Sequence, residues 1–284
     1  MNSGPLAKAS RPVWIGSEAR VVTAVAHGGR LADKVAVITG ATSGLGWAGA
    51  VRFAQEGAKV VAASRRTAEG AELVHVIEAA GGEAVFVKCD VADPSDVERL
   101  IASAEARFGR VDVLYHSAGV MPTGTAPETS EADWRQAIDV NLGGAFWLAK
   151  FGIPALERAG GGSIILTASE LGLVGARSMA AYCAAKGGVV NLVRALAVDC
   201  GPLGIRVNSL CPGPIDTPML RGWFDAASDR AAAEHVQTNP LPLGRVGRPG
   251  EIADAAVHLA SDASSYMTGS VMVVDGGATA WYGL

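Results

Sequence analysis

A run of β-branched and small apolar residues, Lys34-Val-Ala-Val-Ile-Thr39, breaks at Gly40, and Gly44 and Gly46 follow in TGATSGLGWAGA. A run with no polar alternation suits a strand buried on both faces of a parallel sheet. The apolar stretch after Gly46 continues to Gly57 and reads as a helix. Strand, glycine turn and helix start together make an anion site, because free backbone N–H groups and the positive end of the helix dipole face one point. The spacing is Gly-x3-Gly-x-Gly and not the usual Gly-x-Gly-x-x-Gly dinucleotide fingerprint, but the strand before and the helix after supply the required context. The segment therefore predicts a pyrophosphate cradle built on Gly40, Thr42, Ser43, Gly44, Leu45 and Gly46.

The next strand, Lys59–Ala63, ends at Ser64-Arg65-Arg66. An Asp or Glu at this point would bind the adenosine ribose hydroxyls of NAD and repel a 2′-phosphate. A serine followed by two guanidiniums instead offers forked, charge-assisted contacts to that phosphate. NADP(H) is the expected cofactor, with NAD(H) the alternative if both arginines only extend into solvent. A helix over 67–80 and a strand Ala84–Lys88 lead to Cys89-Asp90-Val91, at the carboxyl edge where open α/β sheets bind ligands. Asp90 either accepts from an adenine amino group or caps the next turn. A helix over 94–108, opened by Pro94, precedes a strand Val111–Tyr115 and the sharp turn His116-Ser117-Ala118-Gly119. His116 has no carboxylate neighbour in sequence and reads as a structural hydrogen-bonding group.

A chain of 284 residues suffices for one large α/β domain or two small ones. Apolar residues at 49% and charged residues at 18% mark it as globular. A net charge of −4 leaves no basic footprint, which argues against nucleic acid as a partner. Cys89, Cys183, Cys200 and Cys211 form no CxxC pair and no metal-ligand spacing, so they read as reduced, mostly buried thiols in a cytoplasmic setting, with no metal site. No apolar run reaches the roughly 20 residues of a membrane span, so no membrane partner is expected. Residues 1–30 lack the apolar core of a signal peptide and read as a loosely attached arm.

The second half carries the chemistry. Glu131–Phe151 has apolar residues at helical spacing and predicts one long helix, with Asn141 set beside Gly143 and Gly144. A polar amide inside an apolar helix is costly unless something uses it. A strand Gly162–Thr167 ends at Ala168-Ser169, on the sheet edge shared by Gly40, Asp90 and Gly119. Tyr182 and Lys186 follow in a run of good helix formers, where positions four apart share a face. A free phenol titrates near pH ~10 and is a poor base at neutral pH. A fixed positive charge beside it lowers that value and makes it a usable proton donor and acceptor.

Taken in order, these motifs resemble the short-chain dehydrogenase/reductase family in its compact single-domain branch. The likeness rests on TGATSGLG at 39–46, Asn141, the Ser169 to Tyr182 separation, Tyr182-x3-Lys186, Cys211-Pro-Gly-Pro-Ile-Asp-Thr217-Pro and Val274-Asp-Gly-Gly277, and spans residues 31–280. It implies an α/β fold: a three-layer doubly wound Rossmann architecture with a central, mostly parallel sheet of about seven strands, as one domain over 31–284. It also implies that Tyr182 protonates a carbonyl or deprotonates an alcohol and that Ser169 holds the same oxygen. Lys186 would grip the nicotinamide ribose and lower the Tyr182 pKa, and Asn141 would hold a water leading to solvent. Pro212, Gly213, Ile215 and Thr217 would contact the nicotinamide, with Val91, Ser117, Ala118 and Gly119 further along the cofactor. The implied activity is NADP(H)-dependent interconversion of a ketone and a secondary alcohol. An NAD(H)-preferring dehydrogenase of a cyclic alcohol or diol, and a non-catalytic cofactor sensor, are the alternatives. The implied assembly is a homotetramer or dimer.

Two positions depart from the family pattern. His116-Ser117 replaces a pair of asparagines, and Glu170 follows the catalytic serine where a small residue is common. That carboxyl either binds a polar or cationic substrate group or turns to solvent. The stretch Met219–Leu243 reads as a long binding loop. Met219, Leu220 and Trp223, with Met121, Leu171 and Met179, are its expected apolar pocket wall beside Glu170, suited to a medium-sized ketone or secondary alcohol.

Overall fold

The computed structural model describes residues 28–239 and 241–281. Strands and helices alternate from β1 (Val35–Thr39) through α1 (Gly44–Gln55), β2 (Lys59–Ser64), α2 (Thr67–Ala79), β3 (Glu83–Lys88), α3 (Pro94–Phe108) and β4 (Val113–His116). After α4 (Glu131–Ala137) and α5 (Gly144–Arg158) come β5 (Gly162–Thr167), α6 (Ala180–Cys200) and β6 (Ile205–Pro212). The chain then runs through α7 (Pro218–Asp225), α8 (Arg230–Thr238), α9 (Pro249–Ala260) and β7 (Val271–Val274). The seven strands lie in the order β3-β2-β1-β4-β5-β6-β7, and every pairing is parallel. Strand order reverses between β1 and β4, which opens a crevice at the carboxyl edge of the sheet. The expected doubly wound Rossmann architecture is what the chain adopts.

The all-apolar reading of β1 has a direct cause. Successive strand side chains point to opposite faces, and both faces are covered. Val35 and Val37 join a core with Val97 and Leu100 of α3, Leu148 of α5 and Val189 of α6. Ala36 and Ile38 join another with Phe53 of α1, Leu73 of α2 and Val257 of α9. Local signals fix the helix ends: Asp93 caps Ser95 N–H, Pro94 fills the first turn and Gly109, at φ 78°, closes α3. Helix α6 is long and apolar enough by composition to cross a membrane, yet Val189, Val190 and Val193 pack one of its faces into the core.

Three expectations are corrected or bounded. The long helix expected over Glu131–Phe151 runs on to Arg158 but is not uniformly α-helical, because a π-helical turn, Ile138–Gly143, separates α4 from α5. Its cause is Asn141, whose side-chain amide donates to the Ala137 carbonyl at 2.9 Å and to the Val120 carbonyl at 3.0 Å. The carbonyl one turn back is thereby shared with a side chain, and the backbone widens to admit an extra residue. The stretch expected as a loop over Met219–Leu243 instead contains α7 and α8, capped by Thr217 and Asp229. The arm expected over 1–30 lies, up to residue 27, outside the described residues. Leu31 is already fully buried, and Arg30 forks onto Glu56, holding that carboxyl down at about 2.

Gly46 allows α1 to reach the turn below it, since a Cβ there would lie 2.2 Å from the Gly40 carbonyl oxygen. Gly46→Ala should cost about 1–3 kcal/mol in urea unfolding, as other overpacked sites do. Gly250→Ala, in α9 where a Cβ meets nothing within 4 Å, should be neutral or stabilising by about 1 kcal/mol.

Candidate active site

A cleft of about 400 Å³ lies over the strand-order reversal. It gathers Gly40, Thr42, Ser43, Gly44 and Leu45 from the first turn, and Ser64, Arg65 and Arg66 from the end of β2. Asp90 and Val91 follow β3, Ser117, Ala118 and Gly119 follow β4, and Pro212, Gly213, Ile215 and Thr217 close the far side. Ser169, Tyr182 and Lys186 meet at its centre, beside Met121, Glu170, Leu171, Met179, Met219, Leu220 and Trp223. Two expected residues stand behind the wall. Gly46 packs on Gly40, and Asn141 is fully buried under Gly119.

The first turn is shaped for a phosphate. Gly40 has φ +67° and Gly44 φ +51°, and a Cβ on Gly40 would lie 2.6 Å from Ala118 N. Ser43 gives α1 no side-chain cap, which leaves the helix start open to an anion. Thr42 Oγ1 donates to Ser64 Oγ at 2.8 Å and accepts from the Arg66 guanidinium at 2.9 and 3.1 Å. Arg65 Nη1 lies 3.8 Å from Asp90 Oδ2, while Asp90 Oδ1 caps Ala92 N–H. Both guanidiniums remain more than half exposed on the cleft rim. An uncapped helix start, bare glycines and two arginines fit a nicotinamide dinucleotide.

At the other end, Ser169 Oγ accepts from Leu171 N–H at 3.1 Å, and Ser169 and Tyr182 both line the cleft. Lys186 is 3% exposed; its Nζ donates to the Thr167 carbonyl at 2.8 Å and lies 5.7 Å from the Tyr182 ring centroid. Burial pushes the phenol up to about 12, against the lowering effect of the Ser169 hydroxyl, and pushes the ammonium down to about 8. The phenol therefore stands protonated at neutral pH: desolvation outweighs the Ser169 hydroxyl, and the lowering by Lys186 expected from the sequence gives way to a raised value. Asn141 Oδ1 accepts from Val120 N–H at 3.2 Å. A Cβ on Gly119 would meet Asn141 Oδ1 at 2.9 Å and Lys186 Nζ at 3.6 Å, so the π-turn amide and the ammonium converge on one point.

Comparison with known proteins agrees with this geometry. A family model described as Enoyl-(Acyl carrier protein) reductase matches residues 40–279. Over 256 residues the chain is 41% identical to a cis-4-hydroxycyclohexanecarboxylate dehydrogenase of Sinomonas cyclohexanicum, covering 89% of this chain and 99% of the relative. Over 253 residues it is 42% identical to a meso-2,3-butanediol dehydrogenase of Serratia marcescens, covering 88% and 96%. The crystal structure of a short-chain dehydrogenase/reductase from Burkholderia xenovorans matches with a TM-score of 0.86 at 38% identity, covering 89% of this chain and 99% of that one. The chain belongs to the short-chain dehydrogenase/reductase family. It is an NAD(P)-dependent oxidoreductase.

Within this short-chain dehydrogenase/reductase, His116 is fully buried and its Nδ1 lies 2.9 Å from Thr39 Oγ1, tying β4 to β1. Burial, with the Lys186 charge second, pushes its pKa down to about 3, so the ring stays neutral. Glu170 faces the cleft rather than turning to solvent. Its Oε2 is sealed from solvent with no hydrogen-bond partner. Burial, and then the Asp275 carboxylate, push its pKa up to about 8. The sequence reading missed Gln237, which reaches the cleft from α8, and Val140 and Pro214. The Asp229 cap that starts α8 was the local signal available for Gln237.

The folded protein keeps a proton on Glu170 that the unfolded chain releases between pH ~4.5 and 8, so this group erodes stability as pH rises through that window. Glu170→Gln should match the wild-type Tm near pH 4.5 and exceed it at pH 8, as differential scanning calorimetry would measure.

Proposed function

We propose that this enzyme oxidises a cyclic secondary alcohol or diol to the ketone, and runs the reverse reduction, with a nicotinamide cofactor. The observation that carries this reading is the Ser169–Tyr182 hydroxyl pair set against the apolar side chains of Leu171, Met179, Leu220 and Trp223. The relatives' names, one a cis-4-hydroxycyclohexanecarboxylate dehydrogenase and one a meso-2,3-butanediol dehydrogenase, favour this reading over a general ketone reductase. No basic cluster lines that end of the cleft, which speaks against a phosphorylated substrate. Intact Ser169, Tyr182 and Lys186 speak against a non-catalytic sensor.

When bound, the cofactor supplies hydride acceptance and donation at its nicotinamide ring. The chain's own part is to position and to move a proton. Ser169 Oγ holds the substrate oxygen beside the Tyr182 hydroxyl, which gives its proton to a carbonyl or takes one from an alcohol. Lys186 keeps a positive charge next to that exchange and, through the point it shares with Asn141, links it to the π-turn. Pro212, Gly213, Ile215 and Thr217 would flank the nicotinamide.

For the cofactor's other end, the missing carboxylate at the end of β2 and the pair Arg65 and Arg66 support NADP(H). A second reading, NAD(H), draws support from the partners the arginines already have, Asp90 and Thr42. Comparing kcat/KM with the two cofactors decides between them, and equal or better use of NAD+ would remove the Arg65 argument. If NADP+ is preferred, Arg65→Ala should lower its kcat/KM by about ten-fold and leave NAD+ unchanged. Exposed apolar side chains on α4, α5 and α6, namely Trp134, Phe146 and Val198, support assembly as a homotetramer or dimer, which light scattering reads directly. A cytoplasmic location is part of the same proposal.

Tyr182→Phe should bind cofactor as the wild type does and lose turnover by at least about 100-fold; retained activity would remove the proton-transfer role. Because the phenol starts protonated, alcohol oxidation should accelerate as pH rises above neutrality, while carbonyl reduction should not. Initial rates of both directions across pH 6–10 test that sign.

A further inference from the structure

Beside the apolar side chains of Leu171, Met179, Leu220 and Trp223, the cleft wall carries Glu170, on the three-residue turn that follows Ser169, and Gln237, which reaches in from α8. Glu170 Oε2 is sealed from solvent and bonds to nothing. Its position is built rather than incidental. A Cβ on Gly213 would lie 2.8 Å from that oxygen, so the bare glycine on the loop after β6 leaves room for the carboxyl. The neighbouring Asp275 carboxylate is already occupied, accepting from Gly277 N–H, Thr279 N–H and the Thr279 hydroxyl at 2.7–2.8 Å. Among the described residues Glu170 forms no ion pair, while Arg245, Arg221 and Arg66 hold carboxylates elsewhere. A buried polar atom with no partner costs free energy, and a ligand that supplies the partner recovers it.

Resting on the proposed alcohol dehydrogenase reading, we propose that Glu170 is the specificity residue for a second hydroxyl on the substrate, so that the enzyme selects ring diols over ring mono-alcohols. A protonated carboxyl both donates and accepts, and a hydroxyl does the same, so the two groups match without burying a net charge. At neutral pH the carboxyl is held in that form by burial and by Asp275. An amine in the same place would require Glu170 to ionise in a dry pocket, and a carboxylate would face Asp275. A diol carries neither cost. The pocket's apolar side chains then cover the ring carbons, while Ser169 and Tyr182 hold the hydroxyl that reacts.

The test is binding without turnover. Calorimetry on the enzyme loaded with reduced cofactor would compare 1,2- and 1,4-cyclohexanediols with cyclohexanol. The better diol should bind about ten-fold more tightly than cyclohexanol, the gain of one well-made buried hydrogen bond. Glu170→Leu should bring that ratio to about one without weakening cyclohexanol, and Glu170→Gln, which keeps a donor and an acceptor, should retain most of it. A wild type with no diol preference, a preference that survives in Glu170→Leu, or tighter binding of an aminocyclohexanol than of either diol would overturn the proposal. Diol preference in binding with no oxidation of any alcohol would sustain the role of Glu170 and sink the dehydrogenase reading. Turnover without diol preference would do the reverse.

Discussion

The site depends on one close contact, where the turn Glu170–Gly172 lies against the backbone of α6. A Cβ on Gly172 would sit 2.8 Å from the Lys186 carbonyl oxygen and 3.2 Å from Gly187 N. Only a bare backbone approaches a helix that closely. Ser169 leads into this turn and Tyr182 stands one helical turn before Lys186, so the contact sets the distance between two hydroxyls that come from different elements. The same approach leaves Lys186 in a dry place, with the Thr167 carbonyl at the end of β5 as its partner. Geometry and electrostatics at the centre thus have a single origin in the packing of β5, the turn and α6.

From there the ionisable groups fall into an order. Burial raises Tyr182 and Glu170 and lowers Lys186 and His116. All four shifts disfavour charge, so the inner cleft holds few net charges at neutral pH. The exposed rim is the opposite, with Arg65, Arg66 and Asp90 all charged and in reach of solvent. A ligand with one anionic end and one apolar end fits such a gradient. In a low-dielectric pocket each hydrogen bond to a reacting oxygen also counts for more than it would in water.

Much of this was legible in the sequence because it is written locally. The buried strand before Gly40, the Pro94 and Asp93 start of α3 and the four-residue step from Tyr182 to Lys186 each depend on a few adjacent residues. What escaped is set by residues far apart in the chain. The π-turn needs the Val120 backbone as well as Asn141. The inward turn of Glu170 needs Gly213 and Asp275, from the ends of β6 and β7. Helices α7 and α8 are a different case: each is short, and Thr217 and Asp229 at their starts are ordinary capping residues that also open turns.

The widened turn at Ile138–Gly143 also governs how the two helices beside it face. Each residue advances an α-helix by about 100°, so one extra residue offsets every side chain after it by that angle relative to an unbroken helix. Leu148 and Leu156 sit in the core with that offset in place. Losing a single residue from the turn would swing the buried stripe of α5 outward. The amide that serves the site is therefore also the pin that keeps one wall of the domain in phase with the sheet.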